Sequence, residues 1–238
     1  MKAMVLVGGL GTRLRPLTFA VPKPLLAVGD KPILQFIIEQ LKTTGCREII
    51  LATGYLAELI ETFCGDGSRF GVQISYVREN EPLGTAGPVS LVRQRIARDE
   101  FFILMNGDVV THLNFMDFLH FARQHDYDLT VGYVHYTHRS PFGVLTIENN
   151  EVVEVVEKPE MRSCISSGIY VLKGTALEYI PDGTFFTVPD LIHTLHSSQR
   201  PVGAYHIREF WLGIEDLGHI ERVRNILHAP TPKTEEGP

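Results

Sequence analysis

A chain of 238 residues with 44% hydrophobic and 21% charged side chains has ordinary globular composition, enough for one large α/β domain or two small ones. Its formal charge of −6 speaks against a nucleic-acid coat, which needs a basic face, and no apolar run reaches the length of a membrane span. An anionic ligand must therefore be held by local charge, since screening at physiological salt limits the reach of charges to about 8 Å.

The first element is an apolar strand over Ala3–Val7, of the kind a parallel sheet buries on both faces. It is too short for a signal peptide and ends at Gly8-Gly9-Leu10-Gly11-Thr12-Arg13. Glycines at Gly8, Gly9 and Gly11 let backbone N–H groups converge with no Cβ in the way, a concavity suited to phosphate oxygens. Arg13, Arg15 and Lys23 can add positive charge beside it. Neither common phosphate motif is present: no Gly-Lys-Ser/Thr closes the loop, and Leu14 stands where a dinucleotide fingerprint needs a glycine. A plain glycine-rich turn is the rival reading, which Arg13 and Lys23 at this spacing disfavour.

Asp30-Lys31-Pro32 opens a helix whose Ile33, Phe36, Ile37 and Leu41 lie at helical spacing, and Gly45 ends it. A second strand over 48–53, an amphipathic helix over 56–63 and a strand over 72–77 follow. This alternation predicts a doubly wound, mostly parallel Rossmann-like sheet flanked by helices, with ligands beyond the carboxyl ends of its strands. Glu81-Pro82-Leu83-Gly84-Thr85-Ala86-Gly87 leads into an expected helix through Leu91 and Val92. In isolation Gly84-Thr85 reads as a helix entry sooner than a ligand site. The apolar strand 101–105 ends in Asn106-Gly107-Asp108. A carboxylate there is placed to hold Mg²⁺ against a phosphate, with an ordinary Asn-Gly-Asp turn as the alternative.

A helix over 114–124 and a strand over 128–136 precede a change of texture. Strands over 142–147, 151–156 and 165–172, separated by short turns, predict a smaller antiparallel β portion from about residue 137. Glu157-Lys158-Pro159 sets an acceptor for hydroxyls beside a cation for a phosphate. Helices over 174–180 and 188–197, a strand over 201–207 and a last helix to about residue 227 complete the reading. His193 and His196 lie three apart, but no third ligand is in sight. The tail 229–238 is expected to be disordered. Cys46, Cys64 and Cys164 fit no paired metal spacing, so reduced thiols in a cytoplasmic protein are expected.

The run Gly8-Gly-Leu-Gly-Thr-Arg-Leu-Arg-Pro-Leu-Thr18, followed by Pro22-Lys-Pro-Leu25, resembles the signature of the sugar-1-phosphate nucleotidylyltransferases. Later segments extend the likeness over roughly residues 1–225, and Glu81 to Pro88 is similar in wording to mannose-1-phosphate guanylyltransferases. The resemblance implies one domain over 1–228, with a nucleotide-binding part to about 136 and a sugar-binding part beyond it. It implies catalytic roles for Arg13, Lys23, Asp108 and Lys158. Gly8, Gly9, Gly11, Thr12, Glu81, Gly84 and Thr85 would bind the nucleotide, and Gly143, Glu157 and Ser167 the sugar. Ser166-Ser167-Gly168 departs from the family's Asn-Ala-Gly, which puts one sugar-hydroxyl contact in question. The family's second metal aspartate is also missing, because Gly213 stands at its place after Trp211. Glu215, four residues past Trp211, is the expected substitute, as in glucose-1-phosphate cytidylyltransferases. The rival is that Glu215 and Asp216 only complement the N-terminus of the last helix.

The implied reaction joins a nucleoside triphosphate and a sugar-1-phosphate into a nucleotide sugar and pyrophosphate, with Mg²⁺ on Asp108 and Glu215. It needs no general base, since a phosphate monoester with a second pKa near ~6 is already an anionic nucleophile. GTP is the expected nucleotide, because an ionised Glu81 can only accept and guanine offers two donors together. UTP, dTTP or CTP, and a non-catalytic paralogue that binds a nucleotide sugar, are the alternatives. Neither nucleic acid nor membrane is an expected partner, and association with further copies of the chain is left open.

Overall fold

The structure, a computed structural model, describes residues 1–227, so the expected tail 229–238 lies outside the described residues. β1 (Lys2–Leu6) leads through the glycine loop and three single 3₁₀ turns to the small ribbon β2 (Ala27–Val28) and β3 (Lys31–Pro32). Then come α1 (Ile33–Thr43), β4 (Glu48–Thr53), α2 (Ala57–Cys64), β5 (Gln73–Arg78), a 3₁₀ helix (Gly87–Arg95), β6 (Phe101–Asn106), β7 (Val109–Thr111) and α3 (Phe115–His125). The second half holds β8 (Leu129–Arg139), β9 (Val144–Glu148), β10 (Glu151–Val156), β11 (Glu160–Lys173) and a 3₁₀ helix (Gly174–Tyr179). It closes with α4 (Val188–Ser197), β12 (Val202–His206), β13 (Trp211–Gly213) and α5 (Leu217–Leu227).

Seven strands form the central sheet in the order β12-β8-β11-β6-β1-β4-β5. β1 pairs in parallel with β4 and β6, β4 with β5, and β12 with β8. β11 alone runs antiparallel, between β6 and β8. The apolar run of β1 follows from its central position. Ala3 and Val5 face one core with Leu34, Ile37 and Phe118, while Met4 faces another with Val89, Leu191 and Leu195. Burial on both faces leaves no room for the alternation of an exposed strand.

Two expected α-helices are 3₁₀ instead. In Gly87–Arg95, Pro88 lacks an N–H and Ser90 Oγ donates to Gly87 O at 2.7 Å, competing with the backbone ladder. In Gly174–Tyr179, Gly174 lies so close to Ala97 O that an added Cβ would stand 2.0 Å away. α3 and α4 carry side-chain caps: Asn114 accepts from Met116 N–H ahead of α3, and Thr187 with Asp190 forms a capping box ahead of α4.

The antiparallel strands share residues with the sheet. β8 and β11 pair inside it at Leu129 and Leu172, then run out together to Arg139 and Glu160. Ser140 N–H donates to Pro159 O at 3.0 Å, and β9 with β10 prolongs the two-stranded arm. From His135 to Cys164 every residue but Ser140 and Pro159 is exposed. The opposite end of the β8–β11 pair is held at Asp128, which is fully buried and accepts from Arg200 Nε at 2.7 Å and Nη2 at 2.9 Å, and from the Thr175 hydroxyl. No helix among the described residues is long and apolar enough to cross a membrane.

Candidate active site

The glycine loop leaves the carboxyl end of β1 and is folded back on itself. Gly11 has φ 60°, and a Cβ there would stand 2.9 Å from Thr18 Cγ2 and 3.2 Å from Lys23 Cβ. Thr18, 1% exposed, donates its hydroxyl to Gly11 O at 2.9 Å and so ties the loop down. The same fold brings Lys23 inward, where its Nζ donates to Asp108 Oδ2 at 2.5 Å. Asp108 arrives from the neighbouring strand: Leu6 and Asn106 are register partners, so β1 and β6 end at one edge. Gly107 N–H donates to Leu6 O at 2.8 Å, which fixes the turn that presents Asp108.

Glu215 comes from the far end of the chain. β13 pairs antiparallel with β7, setting Gly213 against Val109, and Ile214 N–H donates to Asp108 O at 2.8 Å. That short ladder delivers Glu215 to the glycine loop, where its carboxylate is ion-paired with Arg13. Asp216 does different work: its Oδ1 accepts His219 N–H at 2.9 Å in the first turn of α5. Glu215, the acid expected from sequence, thus faces the glycine loop, and Asp216 serves the helix.

Arg13, Lys23, Asp108 and Glu215 line, with Gly11 and Thr12, a hollow of about 260 Å³. It adjoins a cleft of about 740 Å³ lined by Gly8, Gly9, Gly11, Thr12, Lys23, Glu81, Gly84, Thr85 and Asp108 among others. A wider open groove of about 840 Å³ lies near the start of β4, among Lys42, Arg47 and Arg69, and holds none of these residues. Thr85 lines the cleft, yet its hydroxyl accepts Val188 N–H at 2.9 Å and so anchors α4. Gly143, Glu157 and Lys158 line neither hollow. They sit together at the waist of the arm, with Lys158 Nζ 3.9 Å from a Glu157 oxygen. Ser167 is buried, and its hydroxyl donates to Gly132 O at 2.7 Å and accepts Ile169 N–H at 3.2 Å. With that hydroxyl committed inside the fold, its side chain is not offered to a sugar. The exposed neighbour Ser166 instead shares a 2.9 Å bond with the Tyr170 hydroxyl.

Among the lining residues not singled out from sequence, three carry chemistry or shape the rim. Glu79, at the end of β5, accepts Leu83 N–H at 2.9 Å and shapes the turn carrying Gly84. Burial pushes its carboxyl above the usual range, against the pull of that hydrogen bond. Asn106 Oδ1 is buried with no partner among the described residues, an acceptor left for a ligand. Phe185 is 66% exposed on the rim. Asn106 was legible as part of Asn-Gly-Asp; Glu79 and Phe185 carry no local signal.

The donor set suits Mg²⁺. No three His, Cys, Asp or Glu side chains gather into a cage among the described residues. Mg²⁺ commonly takes one or two carboxylates and fills its octahedron with phosphates and water, and Asp108 and Glu215 line one hollow.

Comparison with known proteins agrees with this architecture. The family model described as "Nucleotidyl transferase" matches residues 2–227. The rice (Oryza sativa subsp. japonica) protein named "Probable mannose-1-phosphate guanylyltransferase 1" is 41% identical over 76% of this chain and 52% of its own length. The Danio rerio "Mannose-1-phosphate guanylyltransferase catalytic subunit beta" is 36% identical over 90% of this chain and 61% of its own. The chain thus spans 52% to 61% of the length of these relatives. Among solved structures, HddC from Yersinia pseudotuberculosis complexed with GMP-PN superposes with a TM-score of 0.75 at 27% identity, covering 95% of this chain and 99% of that one.

Proposed function

The chain belongs to the nucleotidyl transferase family, and from that premise we propose that it transfers a nucleotidyl group from a nucleoside triphosphate, GTP by preference, to a sugar-1-phosphate. The observation that carries this reading is the meeting of the glycine loop, Arg13, Lys23, Asp108 and Glu215 in one hollow beside a nucleotide-sized cleft. Two cations and two carboxylates hold one another there. An entering triphosphate offers the cations a denser negative charge, and the loop N–H groups add neutral donors.

The reaction needs position and charge more than a base. The sugar phosphate is anionic at neutral pH, so it attacks the α-phosphate once the two anions are held in line. Lys158 receives the attacking phosphate as the arm brings it to the cleft. Arg13 and Lys23 stabilise the charge that grows on the α-phosphate and the departing pyrophosphate. When bound, Mg²⁺ would neutralise further phosphate charge, and Asp108 and Glu215 are the residues that would hold it.

Guanine is supported by the two acids of the 79–84 turn. Ionised Glu79 and Glu81 can only accept, and guanine N1–H and N2–H₂ are adjacent donors. The names of the rice and zebrafish relatives and the GMP-PN bound to the Yersinia protein point to the same base. Mannose-1-phosphate is the first sugar to test, and the unpaired Asn106 Oδ1 is an acceptor for a ligand hydroxyl. The test is pyrophosphate release across a matrix of sugar-1-phosphates against dTTP and the four ribonucleoside triphosphates, with Mg²⁺. Release with GTP above all is expected. Preference for UTP or dTTP would overturn the base assignment, and binding of a nucleotide sugar with no release in any well would overturn catalysis.

A further inference from the structure

The cleft has two ends of unlike chemistry. Gly11, Thr12, Lys23 and Asp108 line both the cleft and the smaller hollow beside it, whereas Glu79, Glu81 and Phe185 line the cleft alone. On the proposed function the phosphates go to the glycine loop, Arg13 and Lys23. What reaches the other end is therefore the part of the nucleotide that carries no phosphate charge.

Phe185 is held at that end by the backbone on either side of it. Phe186 N–H donates to Leu83 O at 2.9 Å, and Phe186 O accepts Ala86 N–H at 2.9 Å and Gly87 N–H at 2.8 Å. Further on, Val188 N–H donates to the Thr85 hydroxyl at 2.9 Å. Only glycine allows so close an approach. A Cβ at Gly84 would stand 2.7 Å from Phe186 O, and one at Gly87 2.5 Å from Thr184 O. The segment 184–188 is thus strapped along the turn 83–87, and the Phe185 side chain, 66% exposed, is left in the open.

A phenylalanine so placed keeps on the order of 100 Å² of apolar surface in water. Single exposed apolar residues are common and by themselves mean little. Phe185 differs in standing on a tethered backbone at the edge of a cleft, with no ring or cation stacked on it among the described residues. Phe19, in the turns after the glycine loop, is 60% exposed, but the Arg15 guanidinium lies 4.9 Å from its ring centre. An uncovered aromatic face at the phosphate-free end of a nucleotide cleft matches one part of the ligand, because every nucleobase offers a flat π face of its own. We propose that Phe185 supplies the face on which the nucleobase stacks, beside the two acids that accept from its edge. The inference rests on the proposed function and adds to it a division of labour. Stacking on Phe185 strengthens the binding of any base, and Glu79 and Glu81 choose among bases.

Titration calorimetry of the full chain with GTP, UTP and inorganic tripolyphosphate, each with Mg²⁺ and without a sugar phosphate, decides the matter. Phe185→Ala is expected to weaken GTP binding about 10-fold, as removal of an aromatic ring from beneath a base does. Tripolyphosphate has no base and should bind wild type and variant alike. Phe185→Tyr keeps the ring and should hold GTP to within about 2-fold of wild type. Tm checks that this exposed position tolerates both changes. Unchanged GTP affinity in Phe185→Ala overturns the proposal, and so does an equal loss for tripolyphosphate or a loss in Phe185→Tyr as large as in Phe185→Ala. If UTP binds in place of GTP, guanine falls and the same ratio is read on UTP. If no triphosphate binds the wild type, the proposed function falls and this inference with it. If GTP binds but no sugar-1-phosphate is converted, catalysis alone fails, and the Phe185→Ala ratio still decides the stacking.

Discussion

In the glycine-loop cleft several charged groups and turns are tied to partners. Lys23 lies on Asp108, Arg13 on Glu215, Thr18 on Gly11 O and Glu79 on Leu83 N–H. In the arm, from His135 to Cys164, nearly everything is exposed, and Glu157 and Lys158 approach only to 3.9 Å. On the proposed function, the nucleotide would meet donors already held in place, which need not reorganise as charge develops. The sugar phosphate would meet Glu157 and Lys158 on an exposed ribbon.

Substitutions at Lys23 should separate the halves most widely. Lys23→Ala is expected to lower kcat by ~10²–10³, as loss of a donor to developing charge typically does. Asp108→Asn should lose a similar factor, and the double variant less than the product, because the two share a bond. Steady-state kinetics on the three variants at matched Tm reads this; full multiplicativity would show that the pair is not a unit.

Arg200→Ala probes the buried end of the β8–β11 pair, away from the arm, and should act on stability. It strands the buried Asp128 carboxylate with only Thr175, at a cost of about 2–3 kcal/mol. That sits below the range for fully buried pairs because the Arg200 side chain is 38% exposed. Denaturant melts should show the loss, with nucleotide binding unchanged in the remaining folded protein.

Glu215→Gln keeps the shape and removes one charge beside Arg13. Apparent Mg²⁺ affinity should weaken about 10-fold, the lower range for loss of a charge-assisted contact. A titration of rate against Mg²⁺ that superposes on wild type would assign Glu215 to Arg13 alone. Lys158→Ala should raise KM for the sugar-1-phosphate about 10-fold and leave Tm where it was, since its side chain is 54% exposed. A fall in Tm there would mean that the arm is better supported than its exposure indicates.

The smallest expected effect is a pH dependence at Glu79. Burial raises its folded-state pKa, so ionising it costs stability: the penalty is absent below the ordinary carboxylate range and complete above the raised value. Glu79→Gln, which can still accept from Leu83, should match wild type in acid and gain on it in Tm as pH rises through that window. A constant Tm difference across pH would remove the titration from the account.

Much of the cleft was legible because its parts are local. A five-residue apolar run that ends at glycine, such as Ala3–Val7, reads as a buried strand, and the parallel neighbours β1 and β6 end at the same edge. Whatever follows two such runs therefore meets, which is why Gly8 to Arg13 and Asp108 share a hollow. Tertiary structure decided the rest, where partners lie far apart in the chain. Glu215 reaches Arg13 only because β13 pairs with β7, and Asp216, one residue on, caps α5 instead. Ser167 looked like a sugar contact until packing turned its hydroxyl to Gly132, and Glu79 became a cleft residue through its approach to Gly8. The apolar residues of β9 and β10 read as any half-buried strand would. Only the fold shows that no layer of the described chain covers them. Local chemistry determines where a strand stops and what stands at its end; long-range pairing determines which side chain it faces there.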